Sequence, residues 1–357
     1  PTHCHFLLSD GLYEKEWVME WWRKRADSME RSFARMYNEA DSLIVQSRHL
    51  VSYWRDRGVT VPIDVVGRPI NPGIFSASAT HDPYPKSFKA GKRLLVVCRH
   101  DREKNLNYLL NLFASQIAPA DSEVTLTLVG DGHDHRNLVE HAQTLPHFDR
   151  VHFPGEQDHK QLLNWYTHAN VFAYPSLSET FGNVVNEALW SGLPVVALND
   201  NMGVAGQVVD GVNGFLIDTD TSVTDTQFAA ACITLLRKRG LRRQFGEEAA
   251  TMSRRTSHPD IVLSRFEKIY EQAQRHCNQK IPVALSERSR LTQVTEYSKA
   301  IAQWGFWTSV LYGIARAATT MGTSRFGQAD HEQIQPVAPP VESEKVAIPV
   351  SRSKRVS

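Results

Sequence analysis

The chain has 357 residues, of which 41% are hydrophobic, and its formal net charge is +1. That length and composition are enough for about two domains with buried cores. The near-neutral charge gives no electrostatic basis for nucleic-acid binding, and no apolar run reaches the roughly 18–20 residues that span a membrane. The cysteines are scattered without a C-x-x-C pair, which favours a reducing cytoplasm over a disulfide framework or structural zinc. They are Cys4, Cys98, Cys232 and Cys277.

A basic, tryptophan-bearing helix is predicted near the start of the chain, from Glu14 to Asn38. Trp17 and Trp21 lie one turn apart, with lysine and arginine residues around them. Such a helix can lie on an anionic membrane surface. The alternative, which is favoured here, is that both tryptophans pack inward while the charged residues are solvated.

Short apolar runs alternate with amphipathic helical patterns through the middle of the chain. This alternation is typical of a doubly wound α/β domain built on a parallel sheet. The predicted strands are Arg93–Cys98, Thr125–Val129, Val151–Phe153, Val171–Tyr174 and Pro194–Leu198.

Three further segments lie outside these strands. His133 and His135 are predicted to be surface loop residues, and Gly211–Asp218 is predicted to be a hairpin-like piece that contains a strand. The basic run Arg237–Arg243 is predicted to end a surface helix, because positive charge is favourable at the C-terminal end of a helix dipole.

Two glutamates, Glu179 and Glu187, lie eight residues apart across a predicted strand-to-helix junction. A helix is predicted from Asn183 to Ser191. Ligands of open α/β sheets bind at the carboxyl ends of strands, and the first N–H groups of a helix favour phosphate. The spacing therefore suits a nucleotide-sugar site with its diphosphate between the two carboxylates. The alternative is that Glu179 is a helix-start carboxylate and Glu187 a solvated helix residue.

A second charged segment contains Arg99 and Lys104, follows the first predicted strand and opens a helix. A nucleoside diphosphate that leaves a sugar develops negative charge, which fixed cations stabilise. Arginine supplies a planar fork and lysine a point charge. Taken alone, however, a mixed-charge loop of this kind is more often plain solvated surface.

The segment from Val171 to Leu198 resembles the E-x7-E signature of the retaining, family 4 (group 1) glycosyltransferases. That family has the GT-B architecture of two facing Rossmann-like domains. The segment around Arg99 and Lys104 also resembles the family, although Cys98 stands where the family usually has glycine. Beyond the two glutamates, the shared residues are Pro175, Ser176, Thr180-Phe181-Gly182, Ala188 and Gly192-x-Pro194-Val195-Val196.

The resemblance implies a role for each residue of the site. Arg99 and Lys104 bind the donor diphosphate, Glu179 holds the sugar hydroxyls and Glu187 holds the ribose. The T-H-x-H pattern at residues 2–5 is similar to a family segment and places His3 near the reacting carbon; an exposed terminal histidine is the alternative. The implied catalytic residues are His3, Arg99, Lys104 and Glu179. The further donor-binding residues are Gly155 and Glu156 near the nucleobase, and Thr180, Phe181, Gly182, Asn183 and Val184 around the phosphates.

The resemblance also implies a division into domains. Residues 1–75 are the C-terminal part of an acceptor domain, 76–90 a linker and 91–275 the nucleotide-sugar donor domain. Residues 276–322 form C-terminal helices that cross back to the first domain, and 323–357 are a disordered tail. Because the match begins in the middle of the family's first domain, the chain is interpreted as N-terminally truncated.

The implied function is transfer of a hexose from a UDP- or GDP-linked donor to a hydroxyl of a lipid or glycan, with retention at the anomeric carbon. The nucleotide sugar is a substrate, and no metal ion or other cofactor is implied. The protein is expected to be cytoplasmic, with peripheral contact at the inner membrane face if the tryptophan helix binds lipid. Two alternatives remain open: a nucleotide- or phosphate-binding chain without catalysis, and a sugar-phosphate synthase or phosphorylase of the same architecture.

Overall fold

The computed structural model describes residues 30–88, 90–219 and 221–279. Of the predicted helix Glu14–Asn38, residues 30–38 are described, and residues 30–37 are helical. The predicted features that lie outside the described residues are His3, Trp17, Trp21, the C-terminal helices after residue 279 and the tail at 323–357.

The described strands form two parallel sheets. The smaller sheet pairs β1 with β2, and the larger has the order β5-β4-β3-β6-β7-β8. Counted within the larger sheet, this is the order 3-2-1-4-5-6 of the Rossmann fold. The strands are β1 (Leu43–Val45), β2 (Ile63–Val65), β3 (Arg93–Val97), β4 (Thr125–Val129), β5 (Val151–Gly155), β6 (Val171–Tyr174), β7 (Val195–Leu198) and β8 (Gly214–Ile217).

Helices connect the strands of the larger sheet and cover it. A 3₁₀ turn (Arg102–Lys104) precedes the third helix, and a π-helical turn (Phe113–Ile117) and a last short turn (Ala118–Ala120) extend it. The helices are α1 (Arg48–Asp56), α2 (Pro72–Phe75), α3 (Leu106–Leu112), α4 (His135–Thr144), α5 (Leu162–His168), α6 (Asn183–Trp190), α7 (Thr224–Arg237), α8 (Arg239–Ser257) and α9 (Pro259–Gln279).

The larger sheet forms the core of the molecule. Every residue of β3, β4, β6 and β7 is buried, as expected for a parallel sheet that is covered on both faces. The prediction of alternating strands and helices is confirmed, and the predicted bounds of β4 and β6 match the structure. The predicted strand Val151–Phe153 continues to Gly155.

The segment Gly211–Asp218 contains a strand, as predicted, but it does not form a hairpin. Its strand, β8, instead pairs in parallel with β7 at the edge of the larger sheet. A Cβ atom on Gly214 would lie 2.1 Å from the carbonyl oxygen of Val195, so the two strands can approach because residue 214 is glycine.

Part of the segment 76–90, predicted to be a linker, is fixed on the larger sheet. Tyr84 and Phe88 are buried in the same core cluster as the strands. The buried guanidinium of Arg93 pairs with Asp82 at 2.9 Å and lies 4.4 Å from the centre of the Tyr84 ring. These contacts join the segment before β3 to β3 itself, the first strand of the larger sheet along the chain.

The return towards the smaller sheet begins at Pro259, inside the range predicted for the donor domain. Val262 and Ile269 of α9 form a buried cluster with Val66, next to Ile44 of β1. The resemblance predicted such a crossing, but for residues 276–322. Helix α9 therefore takes part in the crossing before that range begins.

Candidate functional site

A crevice for ligands is expected where the strand order of a Rossmann-type sheet reverses, at the carboxyl ends of its strands. In this sheet the reversal falls between β3 and β6. Lys104 follows β3 and Glu179 follows β6, and the Lys104 Nζ lies 2.6 Å from the Glu179 Oε1. Two residues that were predicted to bind the donor are therefore in direct contact at the switch point of the sheet.

Lys104 is turned inward by the local backbone. As predicted, this segment opens a helix: a 3₁₀ turn ends at Lys104, and Asn105 takes a left-handed conformation with φ 56° before α3 begins. Lys104 as a whole residue is 9% exposed. Burial favours its neutral form, but the carboxylates of Glu179 and Glu103 outweigh burial and raise the pKa of Lys104 above its usual value. Lys104 is thus a fixed, buried cation.

Glu179 is held by three donors at one oxygen. Besides Lys104, the Tyr174 hydroxyl donates to Glu179 Oε1 at 2.7 Å and the Ser176 hydroxyl donates at 3.0 Å. Burial, together with the Glu179 carboxylate, raises the pKa of Tyr174 well above its usual value, so its hydroxyl stays protonated and donates. The carboxylate is therefore oriented before any ligand arrives.

Arg99 lies at the rim of the same loop. Its side chain is 57% exposed, and its guanidinium pairs with Asp101 at 2.9 Å and with Glu103 at 3.4 Å. A phosphate group that binds Arg99 would have to share it with these carboxylates or displace them. The predicted role of Arg99 remains a prediction, and it would require this side chain to change its partners.

No side chain caps the N-terminus of α6, where the sequence predicted that phosphate binds. Gly182 precedes the helix with φ 83°, and no side chain caps the first N–H groups at Asn183 and Val184. The Gln207 amide donates to the carbonyl oxygens of Phe181 and Gly182 and so holds the turn. Phe181 is buried, and Thr180 is half-buried. Sequence reasoning missed Gln207, which lies in a loop far along the chain.

Asp200 is the second residue of the site that sequence reasoning missed. Its buried carboxylate accepts the backbone N–H of Glu179 at 3.3 Å and those of Met202, Val204 and Ala205 at 2.9–3.1 Å. It therefore fixes the loop after β7 and the backbone of Glu179 together. A carboxylate two residues after a buried strand was the available signal.

Replacing Asp200 with asparagine is expected to lower the free energy of unfolding by about 1–3 kcal/mol, because one NH2 group would face N–H donors and leave them unsatisfied. Chemical denaturation measures this change. Asp210→Asn is the matched control, since Asp210 is exposed and its side chain accepts the N–H of Leu216 at 3.0 Å. Equal losses in both variants would show that Asp200 has no special role.

Glu187 is a buried carboxyl, so the alternative of a solvated helix residue is wrong. It is 8% exposed, and it accepts the Tyr166 hydroxyl at 3.0 Å and contacts the His159 Nε2 at 3.1 Å. Burial raises the pKa of Glu187 above its usual value, although the hydrogen bonds from His159 and Tyr166 act in the opposite direction. The edge of the Phe75 ring meets His159 at a centroid distance of 5.2 Å. Tyr166 and His159 were not predicted, because neither lies near Glu187 in the chain.

The loops that follow β3 and β4 are tied together at His100. A Cβ atom on Gly130 would lie 1.9 Å from the carbonyl oxygen of Cys98, so glycine is required at position 130. The fully buried His100 ring stacks on the ring of His135, with the two Nδ1 atoms 2.7 Å apart. Burial, with some repulsion from His135, lowers the pKa of His100 to about 4. The prediction that His135 is a surface loop residue is therefore wrong.

The predicted nucleobase region lies at the free edge of the sheet. Gly155 ends β5 with φ 76°, and its carbonyl oxygen accepts the N–H of Gly130 at 2.9 Å. A Cβ atom on Gly155 would meet no atom within 4 Å, and Glu156 is exposed. There is open space above this edge, and its use by a nucleobase stays a prediction.

The part of the chain that the structure describes was also considered as a possible metal-binding or membrane-spanning protein, by its side chains and its helices. Within it, no group of three or more His, Cys, Asp or Glu side chains is arranged to hold a metal ion. No helix among the same residues is long and apolar enough to span a bilayer.

The strand order makes the larger sheet a Rossmann-like domain, and its fold is that of one domain of the GT-B architecture. Solved structures agree with this fold. HepE from Anabaena, crystallised with UDP and glucose, superposes with a TM-score of 0.57 at 20% identity, over 70% of this chain and 67% of its own. Residues 80–252 match the family described as "Glycosyl transferases group 1".

Two curated proteins are similar to part of the chain. N-acetyl-alpha-D-glucosaminyl L-malate synthase of Bacillus anthracis is 27% identical over 179 residues, which is 50% of this chain and 45% of that protein. D-inositol 3-phosphate glycosyltransferase of Xylanimonas cellulosilytica is 32% identical over 155 residues, which is 42% of this chain and 36% of that protein. The chain thus spans less than half the length of these two relatives.

Proposed function

We propose that this chain binds a nucleotide sugar and takes part in the transfer of its hexose to an acceptor hydroxyl, with retention at the anomeric carbon. The observation that carries the proposal is the Lys104–Glu179 pair at the switch point of the sheet. Lys104 is a cation that can bind phosphate, and Glu179 is a carboxylate that can accept sugar hydroxyls. The two side chains are in direct contact, beside an uncapped helix N-terminus.

The described residues suggest how the donor is held. The diphosphate lies against the first N–H groups of α6 and against Lys104, with Arg99 closing over it from the rim. Glu179 accepts hydroxyl groups of the sugar, while Glu187 accepts hydroxyl groups of the ribose from its buried position. As the bond between sugar and phosphate breaks, negative charge grows on the diphosphate, and these fixed positive groups stabilise it.

UDP is the preferred nucleotide in this proposal, with GDP as the alternative. The crystallised HepE is a protein of the same fold that was solved with UDP and glucose, which supports this preference. The names of the two curated relatives give malate and an inositol phosphate, both of which carry hydroxyl groups, and so support a hydroxyl acceptor. A lipid or glycan acceptor, a reaction without a metal ion or cofactor, and work in the cytoplasm at the inner membrane face belong to the same proposal.

A panel of UDP-glucose, UDP-N-acetylglucosamine and GDP-mannose tests the proposal. Binding is measured by the quenching of tryptophan fluorescence, and transfer by the release of free UDP or GDP in the presence of sugar and lipid acceptors. We expect saturable binding of at least one UDP-sugar and release of UDP. Binding without release would favour a nucleotide-binding chain without catalysis, whereas no binding of any donor would contradict the proposal.

A further inference from the structure

A cavity of about 450 Å³ lies at the amino end of the larger sheet. Its walls are the residues that precede β6, those that precede β7 and the first turns of α8. Lys104 and Glu179 follow the carboxyl ends of their strands, so the cavity lies at the opposite end of the strands from the candidate donor site. The volume falls within the range of about 300–1,000 Å³ that is typical of small-molecule sites.

Positive charge dominates the lining of this cavity. Arg239, Arg242 and Arg243 line it, and among the described lining residues Glu247 is the one carboxylate. Glu247 pairs with Arg243 at 3.4 Å. The guanidinium of Arg242 is anchored, because it donates to two carbonyl groups at the end of α7 at 2.9 and 3.0 Å. Three arginines thus line a cavity that has one carboxylate to offset their charge.

The position of these arginines is unfavourable for the helix that carries them. The sequence predicted that the basic run ends a helix, but in the structure Arg237 ends α7 while the other arginines occupy the first turns of α8. Positive charge is disfavoured at a helix N-terminus, and like charges three or four residues apart repel. No acidic residue lies in the first turn of α8. Burial, with repulsion from Arg239, lowers the pKa of Arg242.

An anion in the cavity would remove this conflict. We propose that the cavity binds a phosphate group, either as free phosphate or as the phosphomonoester headgroup of a lipid. Guanidinium groups bind phosphate oxygens through paired, charge-assisted hydrogen bonds, and Arg239 and Arg243 are exposed and able to turn towards such a ligand. This site is separate from the donor site and does not depend on the proposed function.

The test compares two double variants of the same helix. Arg239→Gln/Arg243→Gln removes two cavity arginines, and Arg254→Gln/Arg255→Gln removes two exposed arginines from the last turn of α8. Thermal unfolding is followed in potassium phosphate and in potassium chloride at equal ionic strength, so that general screening is the same. Phosphate binding at the donor site would affect both variants alike, and a difference between them therefore reports on the cavity.

We expect phosphate to raise the unfolding temperature of the unaltered chain and of Arg254→Gln/Arg255→Gln, with a much smaller effect on Arg239→Gln/Arg243→Gln. Calorimetric titration should show phosphate binding to the cavity variant weakened by about tenfold or more. In chloride, the cavity variant should unfold at a higher temperature than the unaltered chain, because the repulsion at the start of α8 is relieved. The phosphate experiment is negative if phosphate stabilises all three proteins equally or does not stabilise the unaltered chain. That result overturns binding of free phosphate, and together with a negative lipid experiment it overturns the proposal.

The lipid arm separates the two sources of phosphate. Vesicles of phosphatidylcholine with phosphatidic acid are compared in co-sedimentation with vesicles of phosphatidylcholine alone. Retention by phosphatidic acid that is lost in Arg239→Gln/Arg243→Gln, and kept in the control variant, identifies the lipid headgroup. Stabilisation by phosphate without such retention identifies the free ion. A negative result in both arms overturns the site.

Discussion

Replacing Lys104 with alanine is expected to lower kcat/KM for sugar transfer by about 10²–10³-fold, the usual effect of removing one group that stabilises charge in a transition state. Lys104 is fixed by its 2.6 Å contact with Glu179 and is buried, so solvent cannot replace its charge easily. The rate is measured with the nucleotide sugar that the unaltered chain uses best. Binding of the same donor should weaken in parallel.

Lys92→Ala is the matched control for this variant. Lys92 also forms a short, partly buried ion pair, with Asp121 at 2.5 Å, but it precedes β3 and lies at the amino end of the sheet. We expect transfer by Lys92→Ala to stay within about threefold of the unaltered rate, as for other changes away from the site. Equal losses in the two lysine variants would show that the effect comes from weakened folding rather than from the site.

Arg99→Ala further separates the effect of a lost cation on sugar transfer from an effect on folding. Arg99 is more than half exposed, so its removal should leave the unfolding temperature nearly unchanged. Lys104→Ala, in contrast, leaves the Glu179 carboxylate without its cation, and the hydroxyls of Tyr174 and Ser176 remain its donors. Some loss of stability is therefore expected for Lys104→Ala alone, and rates should be compared at a temperature at which both variants are folded.

Local patterns were sufficient to predict most of the larger sheet. Buried strands such as β4 and β6 are continuous apolar runs, and the glycine at position 182 marks the start of α6. These features depend on neighbouring residues, which a single sequence displays directly. The sequence assigned Lys104 and Glu179 to one site, but their direct contact was not predicted, because it depends on the adjacency of β3 and β6 in the sheet.

Features that depend on distant residues could not be predicted in this way. Tyr166 and His159 reach Glu187 from α5 and from the loop before it, and Asp200 reaches the backbone of Glu179 from the loop after β7. Each contact is fixed by the packing of the sheet and not by a local pattern. The first turn of α8 shows the same limit, since the basic run does not itself reveal that one helix ends and another begins within it.

Glu187→Gln is expected to change stability and donor binding in opposite directions. The pKa of Glu187 is raised in the folded chain, so the folded state binds this proton more tightly than the unfolded state does. The contribution of Glu187 to stability is therefore fully present below its usual pKa of 4.5 and is lost as the pH rises through the higher folded value. Glutamine cannot ionise, and it can still accept from Tyr166 while donating to His159.

The unfolding temperature of Glu187→Gln should therefore rise relative to that of the unaltered chain as the pH is raised from 4 to 7. At pH 7 the same variant should bind the nucleotide sugar about 10- to 100-fold more weakly, because hydrogen bonds from the ribose to a charged acceptor are lost. Glu140→Gln, at an exposed position of α4, is the control and should change neither quantity. A pH-independent difference in stability would show that Glu187 is ionised as readily in the folded chain as in the unfolded one.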